Sequence, residues 1–464
     1  MSDAPNLSPI RHALLVGLGL FVLFFMPYAT LVLQAMRHGM DILGLRLSTV
    51  MTLITIGWKE LIVGLIGLCV LVYVARNRRL PFRLHAMDWL MLLFIAYGVV
   101  VGGMIIHHSK AIVFGFRYDF FVFVVYFIAR CFSSSRETLL RLGKALNLAA
   151  VPMLLFGLAQ VTVLSKNFLT HLGYSDIVQV SGNPLPPYHL IGSNLIRAMS
   201  TFPGPNSLAM YAVLLLLLTL CFGRTWWPRR WWLADIALIT VVLLTTYSRG
   251  HFLALGAAAI IYCITRMRQL RGSVRRLQVA IIAVFLGIIS AGLVLSLVQV
   301  PDQGNPGTIQ ALVFHNSSSI LHRQARLDAW DHIRKHPWGS GLGTSGLATT
   351  NTGGAVRNPE SWYVQVTQEF GWLGLAIALV VVCGVFAWLA RAFVSQTDPA
   401  QKRVTLFFIL SFTALAVSAQ FLPDWFEVGS LTWWTLFGLF VSDADRLSVT
   451  RVPSQPSAER KARS

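Results

Sequence analysis

The chain has 464 residues, of which 55% are hydrophobic and only 12% are charged, and its formal net charge is +19. Soluble globular chains carry about 25% charged residues, so this composition excludes an ordinary soluble domain and indicates a polytopic membrane protein. The basic excess need not mean nucleic-acid binding, because lysine and arginine accumulate in the cytoplasmic loops of membrane proteins.

Twelve apolar segments are long enough to cross a bilayer as helices, at about 20 residues per crossing. They are approximately 13–33, 50–75, 87–106, 111–130, 145–163, 206–222, 231–248, 252–267, 278–298, 363–390, 404–421 and 429–442. The second is interrupted by Trp58-Lys59-Glu60, which predicts a broken or tilted helix there. The predicted fold class is therefore an all-α polytopic membrane protein with about twelve transmembrane helices.

Lysine and arginine sort to alternate loops, which predicts cytoplasmic N- and C-termini. The inner loops would hold Arg76 to Arg83, Arg136 to Lys144, Arg224 to Arg230, Arg266 to Arg276, Arg391 to Arg403, and the tail from Arg446. This sorting accounts for most of the basic excess, so we predict no nucleic-acid partner. Residues 1–298 would form nine helices with an outer loop at 164–205, 299–362 a large outer loop, 363–442 three helices, and 443–464 a cytoplasmic tail.

The large outer loop is the predicted functional region, because ordered loops longer than about 15 residues are usually functional. Ser317-Ser318-Ser319 can cap a helix running to about His336, in which Leu327, Trp330 and Ile333 recur at helical spacing. Pro337 and the glycine-rich run from Gly339 to Gly343 then end it.

Several arginines remain on the predicted outer side after the inner loops are subtracted: Arg117, Arg197, Arg249, Arg323, Arg326 and Arg357. An ionisable group at bilayer depth costs about 2.5–3.5 kcal/mol on insertion scales, which favours a functional role. The guanidinium group matches phosphate oxygens two at a time, so these residues predict a lipid diphosphate ligand. No outer acidic cluster follows the Asp-x-Asp pattern, and we predict a site without a metal.

Two of these arginines have structural alternatives. Arg249 can reach the outer headgroups while its stem stays in the membrane. Arg117 can form a buried pair with Asp119 or with another outer acid, although Asp119, two residues away, lies off its helical face.

Five sequence features occur in a characteristic order. They are Arg197-Ala198 before Thr201-Phe202 and Pro205-Asn206, then Ser248-Arg249-Gly250, then Arg326-Leu327-Asp328-Ala329-Trp330, then His336-Pro337 before Gly339-x-Gly341-x-Gly343, and finally Glu360-Ser361-x-Tyr363-x-Gln365-x-x-x-Glu369-x-Gly371-x-x-Gly374. In this order and spacing, roughly residues 190–390 resemble the O-antigen ligase and O-antigen polymerase superfamily of bacterial membrane glycosyltransferases.

The resemblance implies a glycosyltransferase of the bacterial inner membrane that needs no metal or other cofactor. Its donor would be an undecaprenyl-diphosphate-linked glycan at the periplasmic face, and its acceptor a glycan or lipid-linked glycan. Membrane lipids and a chain-length regulator are further candidate partners. Residues matching Arg249 and Arg326 would bind the diphosphate.

The chain departs from the ligases at the head of the last motif, where they carry His-Asn or His-Ser and this chain has Glu360-Ser361. The histidine is the favoured base of the ligases, and a glutamate can take that role if burial raises its pKa. We therefore favour polymerisation of O-antigen, capsule or exopolysaccharide repeat units. Ligation to the lipid A-core of lipopolysaccharide and transfer of an oligosaccharide to protein are the alternatives.

Arg249, Arg326 and Glu360 are the predicted catalytic residues; Arg117, Arg197, Arg323, His336, Arg357, Trp330, Tyr363 and Gln365 are predicted substrate contacts. His336 can instead cap a helix C-terminus. A transporter or flippase for lipid-linked glycan remains the alternative of another class, against which stand the missing inverted repeat and the charge gathered on one side.

Overall fold

The structure is a computed structural model that describes residues 9–44, 49–105, 109–132, 134–165, 168–174, 196–267, 273–297, 316–352, 357–422, 425 and 428–450. Its main elements are helices α1 (Pro9–Ile42), α2 (Thr49–Asn77), α3 (Ala86–Ile105), α4 (Ser109–Asp119), α5 (Phe121–Arg130), α6 (Arg136–Thr162), α7 (Pro205–Trp226), α8 (Arg229–Thr245), α9 (Arg249–Arg266), α10 (Val274–Leu297), α11 (Asn316–Lys335), α12 (Trp362–Ser395), α13 (Pro399–Ser418) and α14 (Val428–Thr450). Single turns cover Phe168–Leu172, Gly346–Ala348 and Thr349–Thr352.

Each predicted apolar segment coincides with one helix or, for 111–130, with a bent pair, and the all-α polytopic fold class is confirmed. Among the described residues, seven helices are long and apolar enough to cross a membrane, or eight if the bent pair is one span. The prediction of about twelve exceeds this number partly because α8 has only 17 residues, fewer than the roughly 20 that a perpendicular crossing needs.

Two features of helix continuity differ from the prediction. The interrupted segment around Trp58-Lys59-Glu60 is a continuous helix, α2, so of the two predicted alternatives it is not broken. The uniformly apolar segment 111–130 is instead broken at Phe120, where α4 and α5 meet at 55°. A second irregularity lies inside α12, where Gly371 has non-helical backbone angles (φ 69°).

The core of the bundle is formed by α7 and α13, whose apolar windows are 83% and 78% buried, whereas that of α2 is only 11% buried. Around them α13 packs on α9, α14 on α5, and α12 on α3. A central helix buried on all sides is apolar all round, as Leu208 to Leu218 show.

The two ends of the bundle differ in chemistry. At one end, which we call the basic end, Arg130 at the end of α5 bonds to Asp88 and Asp445. There Arg136 also pairs with Asp398, the N-cap of α13. The opposite end of α13, about 30 Å away by helix rise, carries the candidate site.

The predicted loop helix is present as α11, Asn316–Lys335, close to the predicted limits. Its buried face holds Ala329 and Ile333, which pack on Val364 of α12, with Trp330 beside them. Leu327, predicted for this face, is 37% exposed. Arg326 lies one turn before Ala329 and Trp330 and is half-buried, so the face includes an arginine in place of the predicted leucine.

Candidate functional site

A short turn after α13 joins the starts of two helices that carry predicted catalytic residues. The backbone nitrogen of Trp362, first residue of α12, donates to the carbonyl oxygen of Ala419 at 2.9 Å. The hydroxyl of Tyr363 donates to the carbonyl oxygen of Ala416 at 2.8 Å. On the other side, Gly250 of α9 faces Phe421, whose Cβ would lie 3.1 Å from an added Cβ. Arg249 and Glu360, which precede these contacts, therefore lie at the same end of the bundle.

Arg197 is held against the start of α9 by a polar cluster. Its Nε donates to the carbonyl oxygen of Thr246 at 2.8 Å, and its Nη2 to Oδ1 of Asn206 at 3.0 Å. The same Oδ1 accepts from Oγ of Ser248 at 3.0 Å. Asn206, in the first turn of α7, thus fixes Arg197 and the residue before Arg249 together.

Ser248 takes a second contact that sets the geometry of the α9 start. Its Oγ lies 2.7 Å from Nδ1 of His251, which is fully buried. Ser248 is the N-cap of α9, yet its hydroxyl makes no capping bond to the backbone. The side chain is used to connect α7 and α9, and Arg249 follows as the first helical residue.

Arg326 is the predicted catalytic arginine of α11. Its Nε is buried and has no hydrogen-bond partner among the described residues. Burial lowers the pKa of this guanidinium from its ordinary value. A desolvated guanidinium nitrogen costs free energy unless something accepts its hydrogen bond, which makes this position suited to an anion.

A histidine connects α11 to the segment before Glu360. Nε2 of His332 lies 2.6 Å from Oγ of Ser340 and 3.4 Å from Nη1 of Arg357. An arginine can only donate, so His332 accepts there and is neutral. Its pKa is lowered to about 4, first by burial and then by the charges of Arg357, His336 and Lys335.

Glu360 immediately precedes the N-cap of α12 and has a left-handed backbone (φ 52°), unusual for a glutamate. Its backbone nitrogen donates to Oδ1 of Asn358 at 3.1 Å, and Ser361 caps α12 by accepting from Val364. Glu360 is half-buried. A residue held in this backbone region in a structured turn is typical of functional sites.

The glycine-rich run docks on the irregular part of α12. The nitrogens of Ser340 and Gly341 donate to the carbonyl oxygens of Gln368 and Glu369, both at 2.9 Å. The nitrogen of Trp372 donates to the carbonyl oxygen of Pro337 at 3.2 Å. The run also enters between α3 and α4: a Cβ at Gly102 would lie 2.5 Å from Cβ of Leu342. The run that follows the end of α11 is therefore packed against α12, α3 and α4.

Arg117 has an acidic partner, and it is not Asp119. Its Nε lies 2.6 Å from Oε1 of Glu60 in α2. Asp119 instead accepts from Nε2 of Gln365 at 2.9 Å, and both side chains are buried. Asp119 therefore lies off the face of Arg117, as expected from their spacing. Of the two predicted pairings of Arg117, the one with another acid is present, and that acid is Glu60.

The remaining predicted residues occupy different surroundings. Trp330 stacks on Trp372 with ring centroids 5.8 Å apart, and His336 is exposed with its ring 4.6 Å from that of His332. Arg323 lies in α11, but its side chain is outside the described residues. Within the described ranges, no group of three or more His, Cys, Asp or Glu side chains is placed to hold a metal ion.

Arg197, Arg249 and Glu360 therefore lie at one end of the bundle. Arg326 lies on α11, which packs on α12, and Arg357 contacts His332 of the same helix. Arg117 lies two residues before Asp119, which bonds to Gln365 of α12. Sequence reasoning missed the linking residues: Asn206 and the turn from Ala416 to Phe421. Asn206 was noticed only as part of a motif, and nothing in its spacing indicates two hydrogen bonds from distant segments.

Residues 236–379 match the family model Wzy_C, described as O-Antigen ligase. The matched region contains Arg249, Arg326, Glu360 and the glycine-rich run, but neither Arg117 nor Arg197. A search of curated proteins finds no match to the chain. The match supports a membrane enzyme of the glycosyltransferase type in surface polysaccharide synthesis. The match of residues 236–379 to this model supports the resemblance to the O-antigen ligase and polymerase superfamily that the order of the motifs predicts.

Proposed function

We propose that the protein transfers a glycan from undecaprenyl diphosphate to an acceptor sugar at the end of the bundle predicted to face the periplasm. One observation carries this proposal: the helices that begin after Glu360 and at Arg249 both pack on the turn from Ala416 to Phe421. A carboxylate and a guanidinium at neighbouring helix starts are suited to deprotonating a hydroxyl and neutralising a diphosphate.

Arg326 supplies the second positive charge in this proposal. Its Nε is enclosed and lacks a partner among the described side chains, whereas Arg117 has Glu60 and Arg197 has Asn206. An anion gains most from cations that are desolvated and not already neutralised. Arg326 would thus hold the diphosphate, together with Arg249, to which the resemblance assigns the same role, and Arg197 and Arg117 would support or extend that contact.

The reaction would be a substitution at the anomeric carbon of the donor sugar. Glu360 accepts the proton of the acceptor hydroxyl while the oxygen of that hydroxyl forms a bond to the anomeric carbon. The bond from the same carbon to the diphosphate oxygen breaks, and undecaprenyl diphosphate leaves with the electron pair. The arginines stabilise the negative charge that develops on the leaving group, a role that fixed cations can fill alone.

Within this class we favour polymerisation of repeat units, because Glu360 stands where the resembling ligases carry histidine. Ligation to lipid A-core and transfer to protein remain the competing acceptors. Purified protein given a lipid-linked repeat unit alone should produce ladders of longer glycans. A product formed only when lipid A-core or an acceptor protein is added would identify the other reactions.

The test of the site compares alanine variants of Arg249 and Arg326 with a matched control, Arg224→Ala at the basic end. We expect each site variant to lower the transfer rate by about 100-fold or more, with unchanged membrane insertion, and the control to retain activity. Full activity of both site variants would contradict the assignment. Transfer in detergent, without a sealed vesicle, separates an enzyme from a lipid transporter, since transport requires two compartments.

A further inference from the structure

A groove at the basic end lies between α9, α12 and α13, on the opposite side of the bundle from the candidate site. Its volume is about 290 Å³, and it is open on one side. Thr265 and Phe393 form buried walls, Leu406 is partly buried, and three cations border the opening: Arg266, Lys402 and Arg403. Their positions at one helix end and the next helix start place them near a membrane interface.

The three cations have no carboxylate partner among the described residues. Arg266 donates to the hydroxyl of Tyr262 at 2.8 Å, and Lys402 lies over the ring of Phe393 at 5.6 Å. The nearest acid along the chain, Asp398, pairs with Arg136 instead. The charge of the groove is therefore not balanced by the described protein.

The chain segments that follow α9 and α14 are outside the described residues, and their composition is also basic and offers little negative charge. Residues 268–272 contain Arg268 and Arg271 and no acid, and residues 451–464 contain four basic residues and one glutamate. Charge complementarity thus points to an anion that comes from outside the chain.

An apolar stripe on α9 continues from the groove along the helix. Leu253 and Ile260 are 58% and 51% exposed and lie seven residues apart, so they share one side of α9, and Met267, the residue that ends the helix, is 51% exposed. Met267 directly follows Arg266 at the groove. A ligand with a negative headgroup and hydrocarbon chains fits both features, since its chains can lie on this stripe.

We propose that the groove binds the headgroup of an anionic phospholipid, with its phosphate held by Arg266, Lys402 and Arg403 and its acyl chains along α9. Basic pockets between transmembrane helices bind anionic lipid headgroups in this manner. The site lies about 30 Å from the candidate site, the rise of the 20 residues of α13, and so at the other interface of the membrane.

Native mass spectrometry of the full-length protein in detergent tests this. Cardiolipin, phosphatidylglycerol and phosphatidylethanolamine are titrated separately, with glycerol phosphate as the soluble anion. We expect both anionic lipids to bind more tightly than phosphatidylethanolamine. The variant R266Q/K402Q/R403Q should weaken them at least tenfold, because each cation near a membrane surface contributes several-fold in affinity.

The matched control is R224Q/R229Q/R230Q, which removes the same charge at the same end but away from the groove. It should change anionic lipid affinity by less than twofold. Equal losses in both variants, or no preference for anionic lipid, would overturn the proposal, and so would glycerol phosphate binding as tightly as phosphatidylglycerol. If the triple variant does not fold, K402Q and R403Q are measured singly, each with an expected loss of about threefold or more; no loss in either would also overturn it.

Discussion

Nε of Arg117 in α4 lies 2.6 Å from Oε1 of Glu60 in α2, and each side chain is less than a quarter exposed. The contact joins the peripheral helix α2 to the bent pair of helices α4 and α5. It gives the charged Glu60 a partner within the continuous helix α2. It also means that the charge of Arg117 is largely neutralised within the protein.

Removing either partner should destabilise the protein. We expect Glu60→Gln and Arg117→Gln each to lower the free energy of unfolding by about 1.5–3 kcal/mol, and the double variant to lose less than the sum. Thermal unfolding midpoints in detergent measure this cycle. If Arg117 also contacts the donor, only R117Q raises KM for the lipid-linked glycan; equal KM for both variants would make the pair purely structural.

Asn206 is expected to position Arg249 through Ser248. Asn206→Leu removes the acceptor of two hydrogen bonds and should reduce transfer severely with a smaller loss of stability. Asn206→Asp keeps an oxygen at the same place and should recover part of the activity. Initial rates over a range of donor concentrations distinguish these variants, and an inactive N206D with normal folding would argue against positioning through this oxygen.

Glu360 combines a strained backbone with a proposed role as base. Glu360→Gln should slow transfer by about 10²–10⁴-fold, the usual contribution of a general base. Glu360→Gly should be equally inactive but more stable than Glu360→Ala, because the φ of 52° costs an alanine about 1–2 kcal/mol more than a glycine. Activity assays and unfolding midpoints on the same preparations test both parts. An active E360Q would remove Glu360 as base.

Two adjacent glycines in α3 give a matched pair for testing the glycine-rich run. A Cβ at Gly102 would lie 2.8 Å from the nitrogen of Leu342, whereas at Gly103 nothing lies within 4 Å. We expect Gly102→Ala to destabilise the protein by about 1–3 kcal/mol and lower transfer, and Gly103→Ala to be neutral or slightly stabilising. Similar unfolding midpoints for both would show that the run moves aside easily.

His332 should make stability depend on pH in the acid range. Its pKa of about 4 is below the ordinary 6.5. Between these two pH values His332 is mostly protonated in the unfolded chain and mostly neutral in the folded protein. Stability from this group is complete above pH 6.5 and falls as the pH drops toward 4. His332→Gln should flatten that part of the curve of unfolding midpoint against pH.

Much of the fold could be predicted because apolar length alone determines where helices lie in a bilayer. The position of α11 was predicted from Ser317 and the stop at Pro337 for the same local reasons. The break at Phe120 could not be, because the surroundings of this position include residues far away in the chain, such as Gln365, which bonds to Asp119 from 246 residues later. The arginines of the site can be predicted because they remain on the outer side once the basic residues of the inner loops are set aside. Their partners cannot be predicted from the sequence, and Glu60 and Asn206 are identified only by the structure.

The irregular turn of α12 frees successive backbone carbonyls, and their partners lie outside that helix. Gln368 and Glu369 are bonded by the glycine-rich run, and Phe370 by the hydroxyl of Tyr97. Lifting the run away would leave the oxygens of Gln368 and Glu369 without donors in the interior of the bundle, where each costs several kcal/mol. We therefore expect the glycine-rich run to stay docked on α12 when the proposed substrate binds, and any rearrangement that admits it to involve other segments.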